Sequence, residues 1–241
     1  IYDKLGNITQ TTNSLGNVIK DVYNKVGQLI CTSDSSGKKT TYEYDFEGRK
    51  TTETDSLGNV TKYVYDKNGN LKKETDANGS STTYTYDNEN QVKTIKDALG
   101  HTTSYTYDAN GNTLSETDAL GNVTTYTYDT LGNQTSITNA LGNISKSTFD
   151  KKGLLIKETD AKGNVTTYEY DKNENLIKKT DPLGATTTYI YDKAGQVLEE
   201  TDALGYKTCY SYDKRGNVLQ KTDAKGNHTD YEYDKADNLT K

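Results

Sequence analysis

One word of 21 residues returns along this chain from end to end. The tyrosine of each Tyr-Asp or Tyr-Asn pair marks it: Tyr2, Tyr23, Tyr44, Tyr65, Tyr86, Tyr107, Tyr128, Tyr170, Tyr191, Tyr212 and Tyr233. Phe149 fills the one gap, so twelve marks stand 21 residues apart with no insertion or deletion. A period in this range means an array of small units, none able to bury a core alone, each leaning on its neighbours. The whole chain, residues 1–241, therefore reads as one continuous array of about eleven repeats. It opens inside a motif and is expected to be a fragment of a longer chain.

With the marked aromatic as position 0, position +14 is Gly in all eleven complete units. These include Gly58, Gly79, Gly100, Gly121, Gly142, Gly163, Gly184 and Gly205. Position +4 is Gly in nine of twelve, the exceptions being Asn90, Glu174 and Asp237. Position −2 is a second Tyr in nine units, and position +11 is Asp in nine and Asn in two. Apolar residues never fall at a 3.6-residue spacing, so no helix is predicted.

Each unit instead reads as two strands and two turns. Val123 to Tyr128 exemplifies the first strand and Asn70 to Thr75 the second. Thr and Tyr suit a pleated, half-exposed surface. Asp begins each turn because its side chain bonds the backbone just downstream, and Gly supplies the left-handed residue. Pro182 follows Asp181 at a turn position its fixed φ suits.

An odd repeat raises a problem of parity, since side chains of a strand alternate with period two. If both turns were three-residue loops joining otherwise regular strands, equivalent side chains would change face at every repeat. One turn must carry an extra residue, in a longer loop or a β-bulge, and the Tyr-Asp turn is the expected place. That reading puts both tyrosines and position +7 (Leu114, Ile177, Leu198, Leu219) on one face and position +6 (Leu71, Val92, Leu176) on the other.

The expected fold is all-β: tandem hairpins in one long, curled or spiralling antiparallel sheet of about 23 strands. Successive marked rings lie roughly 10 Å apart, and the whole ribbon would run roughly 105 Å. Tyr44, Tyr65, Tyr86, Tyr107, Tyr128, Phe149, Tyr170, Tyr191 and Tyr212 form the expected structural ladder. A β-solenoid with one coil per repeat is the alternative.

Composition narrows the function. Only 31% of residues are hydrophobic, with 21 Tyr and no Trp or Met, and mean hydropathy is −0.95. One large core is excluded, while the aromatic and β-branched content argues against disorder. The net charge of −6 comes from intermixed signs, with no basic stripe for nucleic acid. No apolar run suits membrane insertion.

Cys31 and Cys209 give no disulfide framework and are expected as free thiols. His101 and His228 lack a partner at metal-ligand spacing. Repeated Asp turns invite calcium, but each Asp already has a role in its turn, so no metal or cofactor is expected. Carboxylates duplicated in every unit, with no singular pocket, argue against an enzyme.

The phrase Y-x-Y-D-x-x-G-N followed by T-D-A-L-G-N-V-T resembles the YD repeats of the bacterial RHS family, related to C components of insecticidal toxin complexes and to animal teneurins. The resemblance is carried by residues such as Tyr107, Asp108, Gly111 and Asn112 and spans the whole chain. It implies a secreted or cell-surface bacterial protein whose hairpins spiral into a hollow shell around a C-terminal toxin or effector. It also implies a self-cleaving D-P-x-G motif in many members. Asp181-Pro182-Leu183-Gly184 matches that string but sits in phase with ten other Asp/Asn-x-x-Gly turns, so it reads as a turn.

The expected role is thus non-enzymatic shell wall, with the effector or core domain of the same protein as partner. The alternative is an adhesion or fibre module binding a glycan or surface protein through exposed tyrosines. The outermost strands, lacking polar caps, predict end-to-end self-association.

Overall fold

The computed structural model describes all residues, 1–241. It contains 22 β-strands and no helix. Residues 1–123 and 124–241 form two compact units. In the first, eleven strands run from Gln10–Thr12 to Thr113–Thr117. In the second, Val123–Tyr128 begins at the boundary and the series ends at His228–Asp230.

Within each unit every strand pairs antiparallel with its neighbour in sequence, as Val60–Tyr65 does with Leu71–Thr75, and Leu71–Thr75 with Ser81–Tyr86. A solenoid would instead pair equivalent strands of successive coils in parallel, so that alternative is set aside.

Both turns of the repeat close in the same way. At the Tyr-Asp turn, Asp108 N–H donates to the Asn112 carbonyl (2.9 Å) and Gly111 N–H to the Asp108 carbonyl (3.1 Å). At the other turn, Asp118 and Asn122 (3.0 Å), with Gly121 and Asp118 (3.0 Å), repeat this pattern. Each loop is three residues long and ends in a left-handed Gly, with φ of 89° at Gly111 and 84° at Gly121. The longer loop considered for the Tyr-Asp turn is therefore absent.

The extra residue lies further along the strand. Tyr107 pairs with Thr113 but Thr106 pairs with Ser115, leaving Leu114 outside the pairing. The same shift recurs at Phe149 with Leu155 and Thr148 with Lys157. Position +7 is thus a β-bulge residue in each hairpin, and it restores the parity that an odd repeat would break.

This placement corrects one expectation. Position +6, not +7, stands opposite the marked aromatic, and directly opposed residues share a face. Lys50, at +6, accordingly has its amine 4.6 Å from the Tyr63 ring centre and 5.8 Å from that of Tyr42.

The bulge also sets the stagger. Tyr63 pairs with Glu74, which pairs with Thr82; Tyr168, Lys179 and Thr187 do the same. Two strands along, residue p faces residue p−2 of the next repeat. A two-residue step (about 7 Å) per two strand spacings (about 10 Å) tilts the strands by roughly 35° from the perpendicular to the line of turns. That is the inclination at which sheets curl.

No residue is buried, apolar or polar. Each unit is a single layer wetted on both faces, so its order comes from strand pairing and neighbour contacts. The bulge makes a specific prediction for thermal denaturation followed by circular dichroism. Deleting Leu114 should put every later strand out of phase and lower the melting temperature by ten degrees or more, on the order of several kcal/mol. Leu114→Thr, at a position already 39% exposed, should leave it within about 0.5 kcal/mol of the parent.

Candidate functional surface

The marked tyrosines have a specific task that their rings alone do not explain. Tyr107 donates its hydroxyl to the Val92 carbonyl at 2.7 Å, fifteen residues back. Tyr23, Tyr44, Tyr65 and Tyr86 do the same to Ile8, Leu29, Lys50 and Leu71. In the second unit Tyr170, Tyr191 and Tyr212 reach Leu155, Leu176 and Val197. The acceptor is always position +6 of the preceding repeat, the residue just before the bulge. Each hydroxyl thus reaches the adjacent strand, the second strand of the preceding repeat, and ties one repeat to the last.

Ring-to-ring contact plays little part in this: the one close pair, Tyr189 and Tyr191 at 6.5 Å, lies within one strand. Phe149 occupies the ladder position without a hydroxyl to offer Gln134. That eleven of twelve marks are Tyr was the available signal for a polar role, since Phe would supply the same ring.

The turn aspartates are equally committed. Asp108 Oδ1 accepts from the amides of Asn110 and Asn112, both at 2.9 Å, and its Oδ2 accepts from Asn112 Nδ2 at 2.9 Å. Asp118 is held in the same way by Leu120 and Asn122. Asn at +5 and +15 completes the turn, a role the sequence reading missed. Asp181 accepts from the Leu183 and Ala185 amides, so the D-P-L-G string is an ordinary turn of the array.

The left-handed exceptions at +4 are tied as well. Asn90 (φ 63°) accepts from Asn68 and Asn70; Glu174 (φ 71°) meets Lys152; Asp237 (φ 63°) meets Arg215 and Asn217. In each, the added side chain bonds the preceding turn. Those contacts compensate a backbone conformation that costs a non-Gly residue about 1–2 kcal/mol.

No three of the His, Cys, Asp and Glu side chains converge to hold a metal ion. His101 bonds Asp97 and His228 bonds Thr222, within single hairpins. Cys31 and Cys209 are free thiols. What the molecule offers is periodic surface: a half-exposed tyrosine face and two rows of turns.

The comparisons agree with this geometry. The RHS Repeat family model matches residues 23–61, 65–102, 88–115, 107–144, 149–180, 170–207 and 212–241. The chain is therefore a member of the RHS repeat family, a structural repeat segment.

Among solved structures it is similar to TcdB2-TccC3-Cdc42, at 17% identity and TM-score 0.56, covering 100% of this chain and 18% of that one. TcdB2-TccC3 without its hypervariable C-terminal region gives the same identity, TM-score and coverage. The Photorhabdus luminescens Tc holotoxin pore carrying TccC3-D651A gives 14% identity and TM-score 0.51, over 99% of this chain and 17% of that one. The likeness establishes the fold, and the chain spans under a fifth of these structures' length. No curated protein matches.

Two predictions follow from these ties. Tyr107→Phe should lose about 0.5–1.5 kcal/mol in urea unfolding, and Phe149→Tyr should gain a comparable amount by bonding Gln134. Their effects would be equal and near zero if the hydroxyls were idle.

Stability should also depend on pH at both ends. Hydrogen bonds from Asn112, Asn122 and Asn175 hold the carboxyls of Asp108, Asp118 and Asp171 below the usual 3.8. Depressed carboxyls stabilise fully above the ordinary value, and that contribution is lost as pH falls through the lower folded values. Partial desolvation of the half-exposed rings raises the phenols of Tyr65, Tyr107 and Tyr191 above 10.0. Their contribution is full below 10.0 and is lost as pH rises through the folded values. Melting temperature should therefore be flat between about pH 5 and 9 and fall on both sides.

Proposed function

We propose that residues 1–241 act as one continuous stretch of shell wall in an extracellular bacterial RHS protein, separating an enclosed or presented effector from its surroundings. The wall is non-enzymatic and works sterically. The observation that carries this reading is that each unit of eleven strands is a layer in which no residue is buried. Tyrosine hydroxyls tie successive units together, Phe149 marking the one unit without such a tie, yet no unit encloses anything of its own. Such a sheet suits a partition, with a second component to cover one face. The tyrosine ladder and the left-handed glycines, including Gly58, Gly79, Gly100, Gly142, Gly163, Gly184 and Gly205, serve the wall and contact no substrate.

The fold likeness to TcdB2-TccC3 chains and the membership in the RHS repeat family support this reading. Its partner is then the effector or core domain of the same protein. The alternative, an adhesion or fibre module, draws support from the solvent-open tyrosine face, where a glycan or surface protein would bind.

Limited proteolysis of the full-length protein separates them. A segment inside a wall should survive at least tenfold longer than the same segment expressed alone. Digestion at equal rates, together with glycan binding by the repeats that is lost on substitution of Tyr63 and Tyr84, would favour the adhesion module instead.

A further inference from the structure

The tyrosine face of the second unit has one ring missing. Position −2 is held there by Tyr126, Tyr168, Tyr189, Tyr210 and Tyr231, and Ser147 alone departs. Two kinds of neighbour record the loss. Ile95 and Ile137 occupy the same place, +9, in different repeats, each opposite a tyrosine of its own hairpin, Tyr84 and Tyr126. On its other side each opposes position −4 of the next repeat, Thr103 and Ser145. Two residues further along that strand, and on the same face, stand Tyr105 for Ile95 and Ser147 for Ile137. Such a diagonal is within reach of an aromatic ring. Ile95 is half-buried, whereas Ile137 is 37% exposed. The glutamates at +9 repeat the contrast. Glu53, Glu74, Glu116 and Glu200 face a tyrosine and are half-buried; Glu158 faces Ser147 and is exposed.

Ile137 and Glu158 border a cavity of about 450 Å³, together with Gln134, Ser145, Ser147 and Thr166. Its charged members are Glu158, Asp160 and Lys146. Both carboxylates are already committed. Glu158 accepts the Tyr168 hydroxyl, and Asp160 accepts the amides of Lys162 and Asn164 and the Asn164 side chain. The cavity is therefore not arranged for a cation. What remains is an uncovered isoleucine with hydroxyls and an amide around it.

The geometry points to this cavity as a socket for a single aromatic ring, a tyrosine side chain presented by a docking segment of another polypeptide. The array itself specifies the occupant, because the repeats on either side place a tyrosine ring at the equivalent position. A ring entering over Ile137 restores the contact that Tyr105 gives Ile95 and desolvates an apolar side chain the fold leaves open. Polar partners stand ready for the phenol: the hydroxyls of Ser145, Ser147 and Thr166, and Gln134, whose carbonyl lacks the tyrosine hydroxyl that position +6 receives elsewhere. The ladder tyrosines of this unit cannot fill the gap, since Tyr170, Tyr191 and Tyr212 are held by their own ties. Asp21, the departure at −2 in the first unit, offers no equivalent: it carries a charge that an entering ring would have to desolvate. One buried aromatic anchor is how a small contact gains specificity. The socket stands whether or not the array encloses an effector.

The test titrates the whole chain with N-acetyltyrosinamide to about 20 mM, enough to saturate a millimolar site, and follows the isoleucine methyl resonances. The Ile137 methyls should shift and saturate at a concentration on the order of millimolar, and N-acetylalaninamide should leave them in place. Ser147→Tyr restores the residue that nine other units carry, so it is expected to fold, which circular dichroism verifies. It fills the socket and should weaken the response about tenfold or more, while Ser147→Ala keeps the socket open and should bind within about threefold of the parent. A parent whose Ile137 shows no saturable shift overturns the proposal. Equal binding by Ser147→Tyr overturns it as well. So do shifts at Ile95 and Ile177 as large as those at Ile137, which would mark a general affinity of the sheet for phenols.

Discussion

An alternating sheet built from an odd repeat needs one residue per repeat that the strand pairing does not count. Here that residue is position +7, as Leu114 shows between Thr113 and Ser115. Everything else in the molecule is arranged around this bulge. It keeps the tyrosines of successive repeats on one face, and it produces the two-residue stagger that inclines the strands to the line of turns. It also sits beside the carbonyl at +6, which receives the tyrosine hydroxyl of the next repeat. One irregularity thereby provides parity, inclination and a docking point for the neighbouring unit.

The consequence is a protein that dispenses with a core. With no buried residue to supply hydrophobic stabilisation, order accumulates from many small terms: cross-strand pairs, turn hydrogen bonds and one hydroxyl tie per repeat. Each is worth about a kilocalorie per mole or less, so stability depends on the number of repeats more than on any one of them. This also explains why departures from the pattern are conservative. Phe149 keeps the ring and gives up the tie, whereas Asn90, Glu174 and Asp237 give up the glycine and gain a bond to the preceding turn.

Much of this could be read from the sequence because the repeat displays it twelve times over. The strands, the turn residues and the need for an extra residue in the Tyr-Asp hairpin all follow from spacing and from the period-two rule. The position of that extra residue did not, because Asp-x-x-Gly closes a three-residue loop in both turns and the sequence carries no glycine to announce a bulge at +7. The hydroxyl tie was present only as a preference for Tyr over Phe, and its acceptor is a backbone carbonyl fifteen residues away, which has no signature in side chains. Function was legible at the level of the family motif, because a repeated surface offers no singular constellation for chemistry to single out.

The account rests on the bulge, and cross-strand disulfide trapping measures it directly. With Cys31 and Cys209 replaced by Ser, cysteines at positions 106 and 115 should couple readily under mild oxidation, because Thr106 and Ser115 stand opposite one another. Cysteines at 106 and 114 should couple poorly, since Leu114 is the uncounted residue. Preferential coupling of 106 with 114 would mean a hairpin without a bulge. The faces would then alternate from repeat to repeat, and the tyrosine-tied sheet described above would not be the structure this chain adopts.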